Sequence, residues 1–291
     1  MAPKTLRVTS AFGRTLKEAI LLAYHPDEYP KGIRRTFLLR LQGDRAVVLE
    51  ERPYLLGCAW YSSSGTTYCS VVDSGAIHRW HAGQWSEETF SSKPAEVRYV
   101  YVVPGAKPED DTVFLAGEKQ LFVRQAGKWL SKRIPGQGFP FQVTGTSADQ
   151  VYVGASELSV WDGKKLNSLE SPDDDSMSGL ALTADDRLIG GNDFISASTS
   201  DGGWERIPTP FKGVFMFARL GDDVYALTDK QGVAKVYPGP IQSFTRPLDA
   251  LGLLAVGDGL IAFGRDGVLA FDGTRWFEVH MPSCELGQAP A

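Results

Sequence analysis

Four histidines, three cysteines and a run of three aspartates are the residues of this chain whose types could bind a metal or move a proton. His78 and His81 stand three apart, and on a β-strand that spacing sends them to opposite faces, so they make a poor ligand pair. Asp173-Asp174-Asp175 is too compact for an EF-hand loop and lacks its closing glutamate, which leaves a solvated acidic loop. His25 and His280 have no ligand-like neighbours in the sequence. Gly136-Gln137-Gly138 is a lone GxG with neither a further glycine nor a helix behind it. There is no phosphate-binding loop, nucleophile elbow, HExxH or CxxC. The motifs nominate no catalytic residue, no metal ligand and no cofactor, and the expectation is a protein that is not an enzyme.

Composition narrows the partners. The formal charge of −5 argues against nucleic acid or an anionic membrane surface, because phosphate binding needs a positive field. No apolar run is long enough to span a bilayer. Ala19–Tyr24 is the longest apolar run near the start, and Glu18 precedes it, which argues against a secretory signal. Residues 1–17 are basic and free of acids, a weak transit-peptide character. An odd number of cysteines without metal spacing favours a reducing compartment, so a cytoplasmic location is expected. Cys58 and Cys69 lie symmetrically about the Ser62–Gly65 turn. Two buried free thiols are the expected state there, with a cross-strand disulfide as the alternative.

The elements that would position any site come from repetition. Gln150–Ser171 reads as a small antiparallel meander, with Asp162-Gly163 as a tight turn. The pattern recurs along the chain: Tyr68, Phe114, Tyr152, Leu188, Tyr225 and Ile261 fall in register, roughly 40 residues apart. A second anchor keeps pace near the end of each unit, as Gly83-Gln84-Trp85, Gly127-Lys128-Trp129, Gly202-Gly203-Trp204 and Gly273-Thr274-Arg275-Trp276. Strand-only units of this length are the mark of propeller blades. The sequence therefore predicts an all-β fold, a single seven-bladed β-propeller over 1–291 with four-stranded blades, a to d. The blades span 5–52, 53–93, 96–136, 137–172, 176–210, 213–247 and 250–283, with a short tail at 284–291. Asp and Gly recur between strands a and b, where a tight hairpin needs them. The first unit is the least regular, since Thr15–Tyr24 has good helix formers. Six blades plus an N-terminal extension is the alternative, and ring closure is left open.

Trp85, Trp129, Trp204 and Trp276 share one repeat position, and Trp80 and Trp161 share another. Recurrence of this kind points to packing between blades rather than to a stacking platform. Trp60 lies off both registers and is the least constrained.

Ser198-Thr199-Ser200-Asp201-Gly202-Gly203-Trp204 resembles the Asp-box (BNR) repeat, S/T-x-D-x-G-x-x-W, with one residue missing before the tryptophan. Asp162-Gly163 and Asp272-Gly273 look like more degraded copies. The chain thus resembles bacterial β-propeller repeat proteins with degenerate Asp-box repeats. The resemblance implies a structural turn between the outer strands of a blade. It implies no catalytic residue, because the motif occurs in sialidases and in non-enzymatic propellers alike.

The function expected from these features is a non-enzymatic, protein-binding propeller, monomeric, acting as a scaffold, an assembly factor or a toxin-immunity inhibitor. The alternative is a glycan-binding or glycan-processing propeller working at the central channel mouth. In a propeller the b–c and d–a loops share one face. On that face His25–Arg35 is an unusually long b–c connection, rigidified by Pro26, Pro30 and Gly32. It presents Tyr29, Arg34 and Arg35, residue types that anchor interfaces. These three are the candidate binding residues.

Overall fold

Runs of β-branched and aromatic residues that end at Gly- and Asp-rich turns are too short for helices and pair as antiparallel meanders. The computed structural model describes residues 4–136, 140–172, 177–211, 213–228, 232–243, 250–285 and 287–288. It arranges them as seven four-stranded sheets around one axis, each sheet ordered as its strands occur in the chain. The expected seven blades are therefore present, and the six-blade alternative falls away. Strands a line the axis: Arg7–Phe12, Leu56–Tyr61, Val97–Val103, Gln142–Ser147, Gly179–Leu182, Val214–Leu220 and Ala250–Val256 in blades 1 to 7. Strands d form the rim, from Arg45–Arg52 in blade 1 to Trp276–Glu278 in blade 7. The segment Thr15–Tyr24 is not a helix. A single 3-10 turn, Leu16–Glu18, leads into strand b of blade 1, Ile20–Tyr24. Four of the five residues of that strand are buried between two blades, so burial overrides helix propensity.

Buried side chains gather into seven clusters, and each cluster bridges two neighbouring blades. Phe12, Leu22 and Leu38 of blade 1 meet Leu56 and Cys69 of blade 2. Phe114 and Val123 of blade 3 meet Val143, Val153 and Trp161 of blade 4. The ring closes through Leu21, Phe37 and Leu39 of blade 1 against Ile261, Phe263 and Ala270 of blade 7. Trp161 is fully buried, whereas Trp85, Trp129, Trp204 and Trp276 are half-buried and pack on the edges of these clusters. Their repeat position lies on the outermost strand, at the rim of the blade. Trp129 also donates its indole N–H to Glu88 of blade 2 at 2.8 Å, and Arg124 Nε donates to the same carboxylate at 2.8 Å.

Closure uses both ends of the chain. Beyond blade 7, His280 runs beside strand d of blade 1, where Ala46 N donates to His280 O at 3.0 Å and His280 N to Asp44 O at 2.7 Å. Ser283–Cys284 then pairs antiparallel with Lys4–Thr5. The N-terminal strand thus joins a segment past the last blade rather than completing that blade.

In blades 4, 5 and 7 the turn between strands c and d is built by an aspartate. Asp162 Oδ1 accepts the N–H groups of Lys164 and Lys165 at 3.0 and 2.9 Å. Asp272 Oδ1 accepts the Thr274 hydroxyl at 2.6 Å and the N–H groups of Thr274 and Arg275. Asp201 accepts from Thr199 and Gly203 in the same way. The backbone bond from Lys165 heads the causes that hold the Asp162 carboxyl down at about 2, and the Thr274 hydroxyl does so for Asp272, also at about 2. A carboxyl depressed in the folded state stabilises the fold above its unfolded value, and this contribution is lost as pH falls through the folded value. Stability is therefore expected to decline from 3.8 towards about 2. In acid titrations followed by urea unfolding, Asp162→Asn with Asp272→Asn should show a smaller decline than the parent over that window. Parallel curves would show that these turns contribute nothing to acid sensitivity.

The three cysteines are free. Cys69 lies opposite Ala59 rather than Cys58, and the Cys58 thiol contacts Ser70 Oγ at 3.1 Å. Burial pushes the Cys58 thiol up to about 11.

Candidate functional site

The upper face, formed by b–c and d–a loops, carries the residues singled out in the sequence. In the long b–c loop of blade 1, Tyr29–Lys31 forms a 3-10 turn ended by Gly32 in the left-handed region, φ 77°. The turn lifts the Tyr29 ring outward, to 41% exposure. Arg34 lies over that ring with its guanidinium carbon 3.9 Å from the centroid, and its Nη1 donates to Tyr29 O at 2.8 Å. Tyr29 and Arg34 are therefore one preformed unit with little side-chain freedom left to lose on binding.

Arg35 is not part of that unit. Its guanidinium turns inward onto Glu28, donates to Glu51 Oε1 at 3.0 Å and to Gln288 O at 2.9 Å. Glu28, 2% exposed, also accepts the Gly287 N–H at 3.2 Å. Burial by itself would raise the Glu28 carboxyl, but the bonds from Arg35 and Gly287 outweigh it and hold it below its ordinary value. Arg35, grouped with Tyr29 and Arg34 in the sequence, is thus engaged within the fold. Its donors tie the loop to the C-terminal tail. Asp173–Asp175, read in the sequence as a solvated acidic loop and placed between strands d and a, lies outside the described residues.

Two further residues of this face were not visible in the sequence. Strand a of blades 6 and 7 breaks register beside its start, between Val214 and Met216 and between Ala250 and Gly252. The residues at the breaks, Phe215 and Leu251, are 48% and 47% exposed. Strand a begins on the upper face, so both lie at that end of the axis, on adjacent blades. With Tyr29 and Ile33 of blade 1, next in the ring, they place exposed apolar side chains on three consecutive blades.

The lower face, formed by a–b and c–d turns, opens into the axial channel. A cavity of about 850 Å³ is lined by strands a and their a–b turns. Trp60 and Tyr101 meet edge to face with centroids 4.9 Å apart on one side, and Tyr101 donates its hydroxyl to Gly145 O at 2.6 Å. Arg14 and Arg219 reach the lip from blades 1 and 6. Gln142 spans the channel from blade 4, its carboxamide oxygen accepting Leu180 N of blade 5 and Phe217 N of blade 6 at 3.1 and 3.2 Å. Among the described residues, no carboxylate and no histidine lines this cavity. The pair of carboxylates that glycan hydrolysis uses is thus missing from that lining. His78 is buried and bonded to Glu87 at 3.2 Å, while His81 is exposed on the blade's outer part. Among the described residues no three His, Cys, Asp or Glu side chains are grouped to hold a metal. Nor is any helix among them long and apolar enough to cross a membrane.

No protein-family model and no curated protein sequence matches the chain. Solved structures do. The WD40 β-propeller domain of Doa1 superposes with a TM-score of 0.70 at 13% identity, covering 93% of both chains. YCF48 from Cyanidioschyzon merolae gives 0.68 at 12% identity, covering 96% of this chain and 97% of its own. A catalytically inactive histidine-to-alanine variant of virginiamycin B lyase from Staphylococcus aureus, with quinupristin, gives 0.66 at 14% identity and covers 90% and 94%. Identity this low establishes the propeller fold alone. The Asp-box character of the repeats gains no support from these neighbours. The likeness to a lyase overturns the expectation that the chain is not an enzyme. An enzyme is built on the same ring of blades, so the missing motifs exclude no activity.

Proposed function

We propose that this propeller is a protein-binding platform and that its partner docks on the upper face of blades 6, 7 and 1. The observation that carries the reading is the distribution of exposed apolar side chains. Phe215 and Leu251 lie at the start of strands a of blades 6 and 7, Tyr29 and Ile33 stand on the b–c loop of blade 1, next in the ring, and Arg34 adds a cation held flat against Tyr29. A partner of matching chemistry presents an apolar patch with a carboxylate at its edge. Tyrosine and arginine in such a setting carry a large share of interface energy. A scaffold, an assembly factor or an inhibitor would each use the face in this way. On this reading the protein works in the cytoplasm, where its three thiols stay reduced.

The experiment is capture of the partner from the native host, followed by titration of the purified pair. Tyr29→Ala with Arg34→Ala should weaken the complex by more than about tenfold and leave the melting temperature unchanged, because neither side chain is buried in a blade interface. Undiminished affinity in the double variant would remove this loop from the interface.

A further inference from the structure

We infer that the cavity of the lower face is a second, independent binding site, and that it takes a small organic monoanion with a planar apolar body, an aromatic carboxylate. The cavity, about 850 Å³, falls within the range of sites that enclose one small molecule. Its lining differs in chemistry from blade to blade. On blades 2 and 3, Trp60 and Tyr101 are half-buried and locked edge to face, and the Tyr101 hydroxyl is held by Gly145 O. A planar ring finds an apolar, preformed wall there at little entropic cost.

The cationic groups come from two other blades, Arg219 of blade 6 across the channel and Arg14 of blade 1, next to blade 2. Arg219 is steadied by Nε to Gly221 O and Nη1 to Thr183 O, at 2.8 and 2.9 Å, which leaves its Nη2 without a bond to any described residue. Arg14 makes no hydrogen bond or ion pair with a described residue, yet its turn is fixed. Gly257 of blade 7 packs so close that a Cβ there would stand 2.1 Å from Arg14 O. A chain of net charge −5 thus directs two guanidinium groups to the lip of a cavity whose described lining holds no carboxylate. The fork-shaped donor set of Arg14 and the remaining Nη2 of Arg219 suit a carboxylate.

The surrounding acids set the charge of the ligand. The a–b turns of the same face carry Asp111, which accepts from Gly105 N, Ser64 Oγ and the Tyr68 hydroxyl, and Asp258, which accepts from Leu16 N. These fixed negative charges outside the lip disfavour a polyanion such as a polyphosphate and tolerate a single charge. Deeper in the channel the Gln142 carboxamide is already committed to Leu180 and Phe217. The floor therefore offers apolar contact, and the carboxylate belongs at the lip.

Calorimetric titration with three probes of one shape tests the assignment: 2-naphthoate, neutral 2-naphthylmethanol and cationic 2-naphthylmethylamine. Naphthoate should bind at one site per chain and at least about tenfold more tightly than the alcohol, with the amine weakest. Arg14→Gln should reduce the preference of naphthoate over the alcohol several-fold and leave binding of the alcohol itself unchanged. Trp60→Leu should weaken naphthoate and alcohol alike. Arg14→Gln removes no bond to a described residue, so it decides the matter even if a change at Arg219 unfolds the chain. Equal affinities for the three probes, an unaltered preference in Arg14→Gln, or no saturable naphthoate binding up to about 1 mM would each overturn the proposal.

Discussion

Trp161→Ala is expected to cost about 3–5 kcal/mol of folding stability, the range for truncating a large aromatic inside a core. The indole is fully buried between blades 3 and 4, against Phe114, Val123, Val143 and Val153. Its N–H donates to Ala148 O at 3.1 Å, so truncation also strips a turn carbonyl of its donor. Trp129→Ala should cost less, because that ring is half-buried on the rim, although it leaves Glu88 with one donor fewer. Lys128→Ala, on an exposed neighbour of Trp129, should stay within about 0.5 kcal/mol of the parent. Urea unfolding of the three variants gives the order directly. A Trp161→Ala midpoint indistinguishable from that of Lys128→Ala would mean that the blade interfaces do not carry the stability assigned to them.

Glu28→Ala is expected to cost about 3 kcal/mol, the lower end for breaking a buried ion pair. Arg35 keeps Glu51 as a partner, which limits the loss, but Gly287 N and two of the guanidinium donors lose their acceptor. The lost bonds join the blade 1 loop to the C-terminal tail, so the damage should centre on ring closure. Hydrogen exchange should quicken at residues 4–6 and 283–284, where the terminal strands pair. Arg35→Ala should behave likewise, whereas Tyr29→Ala should leave both stability and exchange unchanged. Wild-type stability in Glu28→Ala would show that this ion pair does not hold the ring closed.

The blade pattern was legible because the same local physics is solved seven times. Each c–d turn needs either an acceptor such as Asp162 or Asp272 or residues that take positive φ, as Ala82-Gly83 and Ala126-Gly127 do, and each inter-blade seam needs large apolar side chains at a fixed phase. Both leave marks at one period. The first blade was blurred because Leu16, Ala19, Leu21 and Leu22 favour helix locally; Leu21 and Leu22 become strand only through burial between blades 7 and 2. The sites were harder to read, since they depend on departures from the repeat. Phe215 and Leu251 look like ordinary strand residues until a register break turns them to the surface. Arg34 and Arg35 are neighbours of one type, and only the arrival of Gly287 and Gln288 through ring closure tells them apart. Trp60 was marked by lying outside both tryptophan registers, whereas Arg14 and Arg219 carried no signal, because nothing in a turn sequence shows that it borders a cavity.

The central claim, that a partner docks on the upper face of blades 6, 7 and 1, is tested most directly by site-specific photocrosslinking in the native host. A benzophenone side chain is placed at Tyr29, at Leu251, at Leu130 on the rim and at Ser63 on the lower face. The account predicts a partner adduct of one mass from positions 29 and 251 and none from 130 or 63. An adduct formed from the rim or the lower face, with none from 29 and 251, would contradict it.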